Sequence, residues 1–369
     1  MSTVIEPQSG HELALALAAA NSQGKAVIPR GGGTKAEWGN AAARQDVVLS
    51  TARMNRVVEH AWADMTATVE AGCTVGHFQA KLAEHGQRLA CDPLWPEQAT
   101  IGGILATNDS GPLRLRFGAL RDLIIGITVV LPDGTLAMSG GKVVKNVAGY
   151  DLPKLMTGAL GTLGVITQAV FRLHPLPRVS RTLTISPPGI AEAQRILLAI
   201  QDTQLAHSAL QVRLESGTLP EVDILFEGTE AGIAAQEQTL RQIAEAHPGD
   251  PAMWPAREQL WPPPAGQAIA KITLLPSRIA QAVADIERAS VGPWCAVIQA
   301  TGVGWMRMEG DWRGLRAAVE VNEGSLVMLT PAPIDSWGVV GDSLAVMRAL
   351  KHQFDPKNTL NPGRFAGGI

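Results

Sequence analysis

The amino-acid sequence predicts an α+β protein with more than one domain. Its 369 residues exceed the length of a typical domain, roughly 150 residues, more than twofold. Hydrophobic residues make up 46% and charged residues 18%, a composition typical of a folded globular chain and not of a disordered one. Short apolar strands alternate with helix-like segments in the first half of the chain, which favours α/β or α+β layers.

Composition excludes several classes of protein. The 31 basic and 34 acidic residues give a net charge of -3, which does not indicate a surface for nucleic acid or anionic membranes. The three cysteines, Cys73, Cys91 and Cys295, form no C-x-x-C pair. A disulfide scaffold is thereby excluded, and no iron–sulfur or zinc site is predicted.

The N-terminal segment predicts a helix and no secretory signal. Ser9 and Glu12 form an S-x-x-E capping box, and Gly24 can end the helix. An acidic residue precedes its apolar run and no basic residue occurs before Lys25, the opposite of a signal peptide. The longest uncharged apolar stretch, residues 123–132, is about half of a membrane span. We therefore expect a soluble cytoplasmic protein.

Strands and helices follow in alternation. Strands are predicted at 26–28, 47–49, 66–69, 124–131 and 165–171, and a helix at 75–85. After His174 to Pro177 the glycine clusters thin out, and three helix-periodic segments alternate with strands, which indicates a second, α+β domain. These segments are 190–205, 231–247 and 277–290. A last helix is predicted at 344–351.

The first glycine-rich segment directly follows the strand at 26–28. It consists of Pro29, Arg30, Gly31, Gly32, Gly33 and Thr34. Consecutive glycines expose N–H donors and permit positive φ, so that this loop can form a nest for a pyrophosphate. A plain surface turn is the alternative.

The second segment is rich in small residues and hydroxyl groups. It contains Thr100, Gly102, Gly103, Ala106, Thr107, Ser110 and Gly111, with Gly118 a short distance beyond. Small residues permit close approach of a ligand or, alternatively, tight packing of a helix N-terminus on its neighbour.

The third segment extends from Lys145 to Thr167. Its G-x-x-G-x-x-G spacing at residues 158, 161 and 164 differs from the G-x-G-x-x-G of a Rossmann phosphate loop. Lys142 is followed by Val143 and not by Ser or Thr, so there is no Walker loop. The sequence motifs that would indicate binding of a nicotinamide cofactor or of ATP are therefore missing from this segment.

These three segments, in this order, resemble the PCMH-type (vanillyl-alcohol-oxidase-type) FAD-binding family. The resemblance covers residues 26–171 and the C-terminal Phe354 to Arg364. Within the family, the motif Lys145 to Leu152, the compact cap and the length are most similar to FAD-binding E subunits of bacterial glycolate oxidases. The resemblance implies an FAD-binding domain of two α/β subdomains (1–176), a smaller α+β cap domain (177–340) and a C-terminal segment (341–369) that returns to the FAD domain.

The resemblance also implies which residues bind FAD. Arg30 to Thr34 would hold the pyrophosphate, and the small residues of the second segment would line the dinucleotide from the opposite subdomain. Pro29 and Gly118 are included as further cofactor contacts. The adenine and ribose side would be held by Gly161, Thr162, Gly164, Val165 and Ile166, and Asn361 would approach the ring system.

Two departures from the family pattern matter. Covalent members place a histidine just after the first glycine loop, where this chain has Thr34 and Lys35, so we expect non-covalent FAD. The family's histidine-rich G-H-x-G-D-G-N-x-H motif does not occur, and no metal site or catalytic base is predicted. Arg257, Lys271 and Arg307 could bind a carboxylate, but a structural or solvated charge is the favoured interpretation of each.

The resulting hypothesis is an FAD-binding subunit of a multi-subunit glycolate dehydrogenase. A sister FAD-containing catalytic subunit would oxidise glycolate, and an iron–sulfur subunit would carry the electrons onward. The complex would lie in the cytoplasm or, through its partners, at the cytoplasmic face of the inner membrane. Two alternatives stay open: an autonomous FAD-dependent 2-hydroxy-acid dehydrogenase, and a flavin-stabilised scaffold without a redox role.

Overall fold

A computed structural model describes residues 2–141 and 150–369, which form two compact units. The first unit contains the described residues of 2–110, 118–176 and 339–369, and the second contains 111–117 and 177–338. Residues 111–117, which the sequence analysis placed in the first domain, pack with the second unit. None of the described helices is both long and apolar enough to span a membrane.

The described residues form a mixture of strands and helices in both units, so the predicted α+β class is confirmed. The strands are β1 Thr3–Ile5, β2 Val27–Arg30, β3 Val47–Ser50, β4 Val57–Ala61, β5 Thr66–Glu70, β6 Gln87–Arg88, β7 Ile124–Val130, β8 Leu136–Gly140, β9 Val165–Arg172, β10 His174–Pro175, β11 Val179–Ile185, β12 His207–Glu215, β13 Glu221–Gly228, β14 His247–Pro248, β15 Ala268–Thr273, β16 Cys295–Gln299, β17 Val303–Met308 and β18 Ser325–Met328. The helices are α1 Gly10–Ser22, α2 Val75–Ala83, α3 Ile101–Thr107, α4 Arg114–Phe117, α5 Leu120–Leu123, α6 Leu152–Met156, α7 Ile190–Gln201, α8 Glu230–Leu240, α9 Ile279–Ala289, α10 Trp312–Val321 and α11 Ser343–Phe354.

The first unit contains two main sheets with separate hydrophobic cores. Parallel strands in the order β1-β3-β2 share one core with α1, in which Leu13, Leu17 and Leu49 are buried. The antiparallel sheet β4-β5-β9-β7-β8 shares the other core with α2 and α3, around Phe78 and Phe171. Strand β7 is the continuous apolar run of the sequence, and burial on both faces explains why its residues do not alternate.

Helix α1 begins at the predicted cap, with one difference. The Ser9 hydroxyl accepts a hydrogen bond from the Glu12 N–H at 3.2 Å. The Glu12 carboxylate accepts from the Gln8 N–H at 2.9 Å, one residue before the partner that a capping box predicts. The first turn is therefore satisfied by both side chains, and Gly24 follows the helix at φ 63°.

The second unit is built on one antiparallel sheet in the order β14-β11-β13-β12-β16-β17-β15-β18. Leu210, Ile224 and Met306 of this sheet lie in a common core with apolar residues of α7, α9 and α10. The predicted helix at 231–247 ends at Leu240, well before His247. His247 pairs with Thr184 of β11, which requires an extended backbone there.

Candidate functional site

The first glycine-rich loop packs against the second predicted segment. A Cβ atom on Gly31 would lie 2.0 Å from the Thr100 hydroxyl oxygen, and one on Gly32 would lie 2.0 Å from the Gln98 carbonyl oxygen. Gly33 has φ 74°, a conformation that residues with a Cβ rarely adopt. Glycine is required at these positions because two chain segments meet there, which an isolated surface turn would not need.

The second segment begins as helix α3. Thr100 is the N-cap, and its hydroxyl accepts from the Gly103 N–H at 3.3 Å. The Thr107 hydroxyl donates to the Gly103 carbonyl at 2.8 Å, so both hydroxyls have partners within the segment. Ser110 differs, because its Oγ is buried and has no hydrogen-bond partner. Its donor and its acceptor positions are therefore both left for a ligand.

The third segment contacts both of the others and the C-terminal tail. The Leu160 N–H donates to the Ala106 carbonyl at 2.8 Å. Gly161 has φ 67°, and a Cβ atom there would lie 3.2 Å from Asn361 Nδ2 and 3.5 Å from Pro29 Cγ. Residues far apart in sequence thus meet at one place in the first unit.

Asn361 joins the tail to this meeting point. Its N–H donates to the Val27 carbonyl at 3.0 Å, and its Nδ2 donates to the Leu160 carbonyl at 2.6 Å. The bond to a carbonyl identifies Nδ2 as the donor and leaves Oδ1 as an acceptor. That Oδ1 is buried without a hydrogen-bond partner.

A buried ion pair that the sequence analysis missed holds the tail in place. Lys351 Nζ donates to Asp355 Oδ2 at 2.6 Å and to the carbonyls of Thr162 and Leu360, each at 2.9 Å. Asp355 also accepts from the Thr359 and Leu360 N–H groups. Burial lowers the pKa of Lys351, and Asp355 opposes that shift. Lys351 ends the predicted helix at 344–351, and Asp355 follows it at i+4, a spacing that was the available signal.

Arg364 ties the tail to the turn after the first loop. Its guanidinium donates to the carbonyls of Lys35, Ala36 and Trp38 at 3.1, 2.8 and 3.2 Å. Burial, followed by the nearby Arg30, lowers the pKa of Arg364. The tail is therefore anchored on both sides of Asn361.

A cleft of about 380 Å³ opens within the first unit beside these segments, a volume in the range of small-molecule sites. Three of its residues, Gly31, Gly32 and Thr100, are predicted cofactor contacts. The sequence analysis missed its other lining residues, which are Ala52, Asn55, Gly72, Thr74, His77 and Gln98. At Gly72 a Cβ would lie 1.9 Å from the Thr51 carbonyl oxygen, a close approach that the sequence alone does not show.

Other predicted cofactor residues lie apart from the meeting point or in the core. Val165 and Ile166 are buried in strand β9 and pair with β7, so their side chains serve the core. The Thr162 hydroxyl donates to the Ala159 carbonyl at 2.7 Å. Gly111 belongs to the second unit, and Gly118 occupies a turn at φ 84°. The remaining glycines of the list, Gly102 and Gly164, pack against Ala71 and the Val130 carbonyl respectively.

The motif from Lys145 to Gly149 lies outside the described residues, so its predicted role stays a prediction. The same holds for the assignment of each predicted residue to a part of FAD.

The cationic residues proposed for the cap have structural contacts. The Arg257 guanidinium carbon lies 4.6 Å from the centre of the Trp305 ring, and Lys271 Nζ lies 5.9 Å from it. Arg307 donates to the Gln259 and Leu260 carbonyls at 3.2 Å. Over residues 2–141 and 150–369, no group of three His, Cys, Asp or Glu side chains is arranged to hold a metal ion.

The polar groups of the first unit suit a dinucleotide. The Gly31 to Thr34 loop offers backbone N–H groups for phosphate oxygens. Ser110 Oγ and Asn361 Oδ1 are buried acceptors without a protein partner, and hydroxyl or N–H groups of a ligand would satisfy them. The residues present therefore fit FAD, which carries both kinds of group.

Comparison with known families identifies the same two regions. A family model described as "FAD binding domain" matches residues 1–139, and one described as "FAD linked oxidases, C-terminal domain" matches residues 339–365. These matches establish FAD as the cofactor. Residues 140–338, which include nearly all of the second unit, lie outside both models.

Several relatives act on hydroxy acids, according to their names. The chain is 32% identical over 275 residues to the mitochondrial D-lactate dehydrogenase (cytochrome) of Arabidopsis thaliana, covering 70% of this chain and 48% of the relative. It is 30% identical over 245 residues to the glycolate oxidase subunit GlcD of Bacillus subtilis, covering 66% and 51%. The chain thus spans about half the length of these relatives.

A solved structure of alkyldihydroxyacetonephosphate synthase shares the fold. The TM-score is 0.75 with 20% sequence identity, over 97% of this chain and 75% of the other. The predicted PCMH-type fold is confirmed by this likeness and by the FAD-binding match.

Proposed function

Because the chain carries the FAD-binding domain and C-terminal segment of the FAD-linked oxidases, we propose that it is the FAD-binding subunit of a multi-subunit glycolate dehydrogenase. The complex would oxidise glycolate to glyoxylate. The observation that carries the proposal is the meeting of Pro29, Ala106, Gly161 and Asn361 in one unit. The hydroxy-acid substrate is supported by relatives named as D-lactate dehydrogenase and glycolate oxidase subunit.

The chain's own residues would hold FAD without a covalent bond. The N–H groups of the Gly31 to Thr34 loop would bind the pyrophosphate, and Ser110 and Asn361 would accept hydrogen bonds from hydroxyl or N–H groups. The side chains that follow the three glycines belong to Thr34 and to the buried, paired Lys35, and they offer no imidazole for a flavin link. When bound, FAD supplies an acceptor for the hydride of the alcohol carbon.

A partner subunit would supply the catalytic base. Hydride removal from an alcohol requires a group that takes the hydroxyl proton. The second unit contains two histidines. Burial lowers the pKa of His207, and the exposed His247 has its Nε2 within hydrogen-bonding distance, 3.4 Å, of the Ser186 hydroxyl. A sister flavoprotein would then be the site of oxidation, with an iron–sulfur protein as electron carrier.

Dye reduction by glycolate tests this function directly. We expect the purified chain to bind FAD but to reduce an artificial acceptor negligibly, since loss of a general base typically removes about 10²- to 10⁴-fold of the rate. Activity should appear when the chain is combined with a second flavoprotein and an iron–sulfur protein. Turnover of about 10 per second by the lone chain, ordinary for a complete enzyme, would contradict the proposal.

The relatives favour one second candidate, an autonomous 2-hydroxy-acid dehydrogenase. Rapid reduction of the bound flavin by glycolate or D-lactate in the lone chain would support it. A variant that assembles with its partners but lacks FAD distinguishes both candidates from a scaffold without a redox role. If the complex stays active without this flavin, the chain is a scaffold; if activity is lost, the flavin takes part in the reaction.

A further inference from the structure

A buried ion pair connects the two glycine-rich segments of the first unit. Lys35 directly follows the Gly31 to Thr34 loop, and its Nζ lies 3.3 Å from Oδ2 of Asp109, which follows helix α3. Their side chains are 4% and 0% exposed. Lys35 Nζ also donates to the Leu94 carbonyl at 3.2 Å, and Asp109 Oδ2 accepts from the Leu94 N–H at 2.8 Å. The pair therefore fastens three chain segments to one another.

Further contacts fix the lysine side of the pair. Lys35 Nζ lies 5.3 Å from the centre of the Trp95 ring and 5.8 Å from that of Trp38, within the range of cation–π attraction. The Lys35 carbonyl accepts from Arg364 of the tail at 3.1 Å. Removing one member of a buried ion pair leaves an uncompensated charge, so the loop positions depend on both residues.

The residues on either side of Asp109 carry unsatisfied acceptors. Asn108 Oδ1 and Ser110 Oγ are both buried and have no hydrogen-bond partner. Native proteins rarely leave such atoms unpaired, which indicates a ligand that donates to Asn108 Oδ1 and pairs with the Ser110 hydroxyl as donor or acceptor. Phosphate oxygens cannot donate to the Asn108 acceptor, whereas the ribityl hydroxyls and ring N–H of FAD can.

We propose that Lys35 and Asp109 are positioning residues for FAD. The pair holds Asn108 and Ser110 at a set place relative to the Gly31 to Thr34 loop, so that the hydroxyl-bearing part and the pyrophosphate of one FAD are bound together. This role requires FAD binding but no partner subunit. A complex that proves inactive towards glycolate would therefore contradict the proposed function but not this positioning role.

The experiment is an FAD titration of the apo chain, followed by flavin fluorescence, with thermal unfolding measured in parallel. Asp109→Asn should weaken FAD binding about 10- to 100-fold, the range expected for loss of charge-assisted hydrogen bonds. The matched control is Asp223→Asn in the second unit, where a fully buried aspartate pairs with Arg213 at 2.7 Å. The control should lower the unfolding temperature but leave FAD affinity within about twofold. A merely structural role for Asp109 predicts the control's result for both variants, and that outcome would overturn the proposal.

Four further variants keep the test informative if Asp109→Asn does not fold. The double variant Lys35→Gln/Asp109→Asn removes both charges of the pair together, so it should bind FAD more tightly than Lys35→Gln alone, which leaves the Asp109 charge without Lys35. Ser110→Ala should unfold as the wild type does and bind FAD about 2- to 10-fold more weakly, through loss of one hydrogen bond. Wild-type affinity in both Ser110→Ala and Asn108→Ala would refute the role of the segment.

Discussion

Both units contain acid–base pairs with a fully buried aspartate, but the pairs connect different kinds of backbone. In the first unit, Lys35–Asp109 and Lys351–Asp355 connect loops and a chain terminus. In the second, Arg213 and Asp223 lie on β12 and β13, which are already joined along their length by backbone hydrogen bonds. In the first unit, side-chain pairs thus determine the positions of loops. In the second, the backbone hydrogen bonds between β12 and β13 determine the positions of the strands. We therefore expect substitutions at the pairs of the first unit to weaken FAD binding. Substitutions at the pair of the second unit should lower only the stability of the fold.

The largest expected effect comes from a carboxylate placed where the four segments meet. Gly161→Asp adds a side chain beside Asn361 and Pro29. It also adds a negative charge where we propose that the anionic dinucleotide binds. FAD affinity should fall about 100-fold, equivalent to about 2.7 kcal/mol. Gly217→Asp in the second unit is the matched control, since Gly217 also has positive φ but no atom within 4 Å of an added Cβ. The flavin-to-protein ratio is the readout, and a wild-type ratio in folded Gly161→Asp would break the comparison.

Removal of the lysine that holds the tail should affect both stability and FAD. Lys351→Met leaves the fully buried Asp355 without its cation, which should cost about 3–5 kcal/mol in urea unfolding. It should also weaken FAD binding, because Lys351 binds the Thr162 and Leu360 carbonyls. Arg213→Met should lower stability without changing FAD affinity. An equal loss of FAD affinity in Lys351→Met and Arg213→Met would contradict the expectation that only the first unit's pair supports FAD binding.

Removal of FAD should loosen one unit only. A ligand present at about 100 times its dissociation constant stabilises the binding state by about 2.7 kcal/mol. Hydrogen exchange should therefore slow on FAD addition in peptides spanning 26–36, 98–110 and 355–365. Peptides from β12 and β13 should exchange at the same rate with and without FAD, and a matching slowdown there would show that the units are coupled.

The smallest expected difference concerns two cysteines. Burial, followed by Glu70, raises the pKa of Cys73 to about 11, while burial also raises the pKa of the half-buried Cys295 of the second unit. A thiol reagent at about pH 8 should label Cys295 before Cys73, because Cys73 is only 1% exposed. Faster labelling of Cys73 would contradict its placement in the core.

The raised pKa of Cys73 also predicts how the stability of the protein changes with pH. Folded Cys73 keeps its proton above the ordinary pKa of 9.0, whereas the unfolded thiol loses it, so stability falls as pH rises from 9 towards 11. At about pH 10 the loss should be about 1 kcal/mol and should be absent in Cys73→Ala. Equal pH dependence of the two proteins would argue against the shift.

Local patterns were sufficient for most of the fold. The Ser9 cap, the apolar run of β7 and the helix periodicity of α7 and α9 each act within a few residues, so they could be recognised without knowing what packs against them. The extended backbone at His247, where a helix was predicted, could not be recognised in this way, because His247 pairs with Thr184 across the sheet. The same limit applied to the cleft, whose unpredicted residues come from separate loops and, in the case of His77, from helix α2.

The sequence by itself determined the α+β class and which segments have backbone suited to an anionic dinucleotide, since glycine runs and hydroxyl residues express that chemistry locally. Only the tertiary structure decided that Lys35 meets Asp109 and that Asn361 meets Gly161. It also decided that Val165 and Ile166 turn their side chains into the core. The physical reason is that burial and pairing of a charge depend on residues distant in the chain, and no local pattern records which distant residue will arrive.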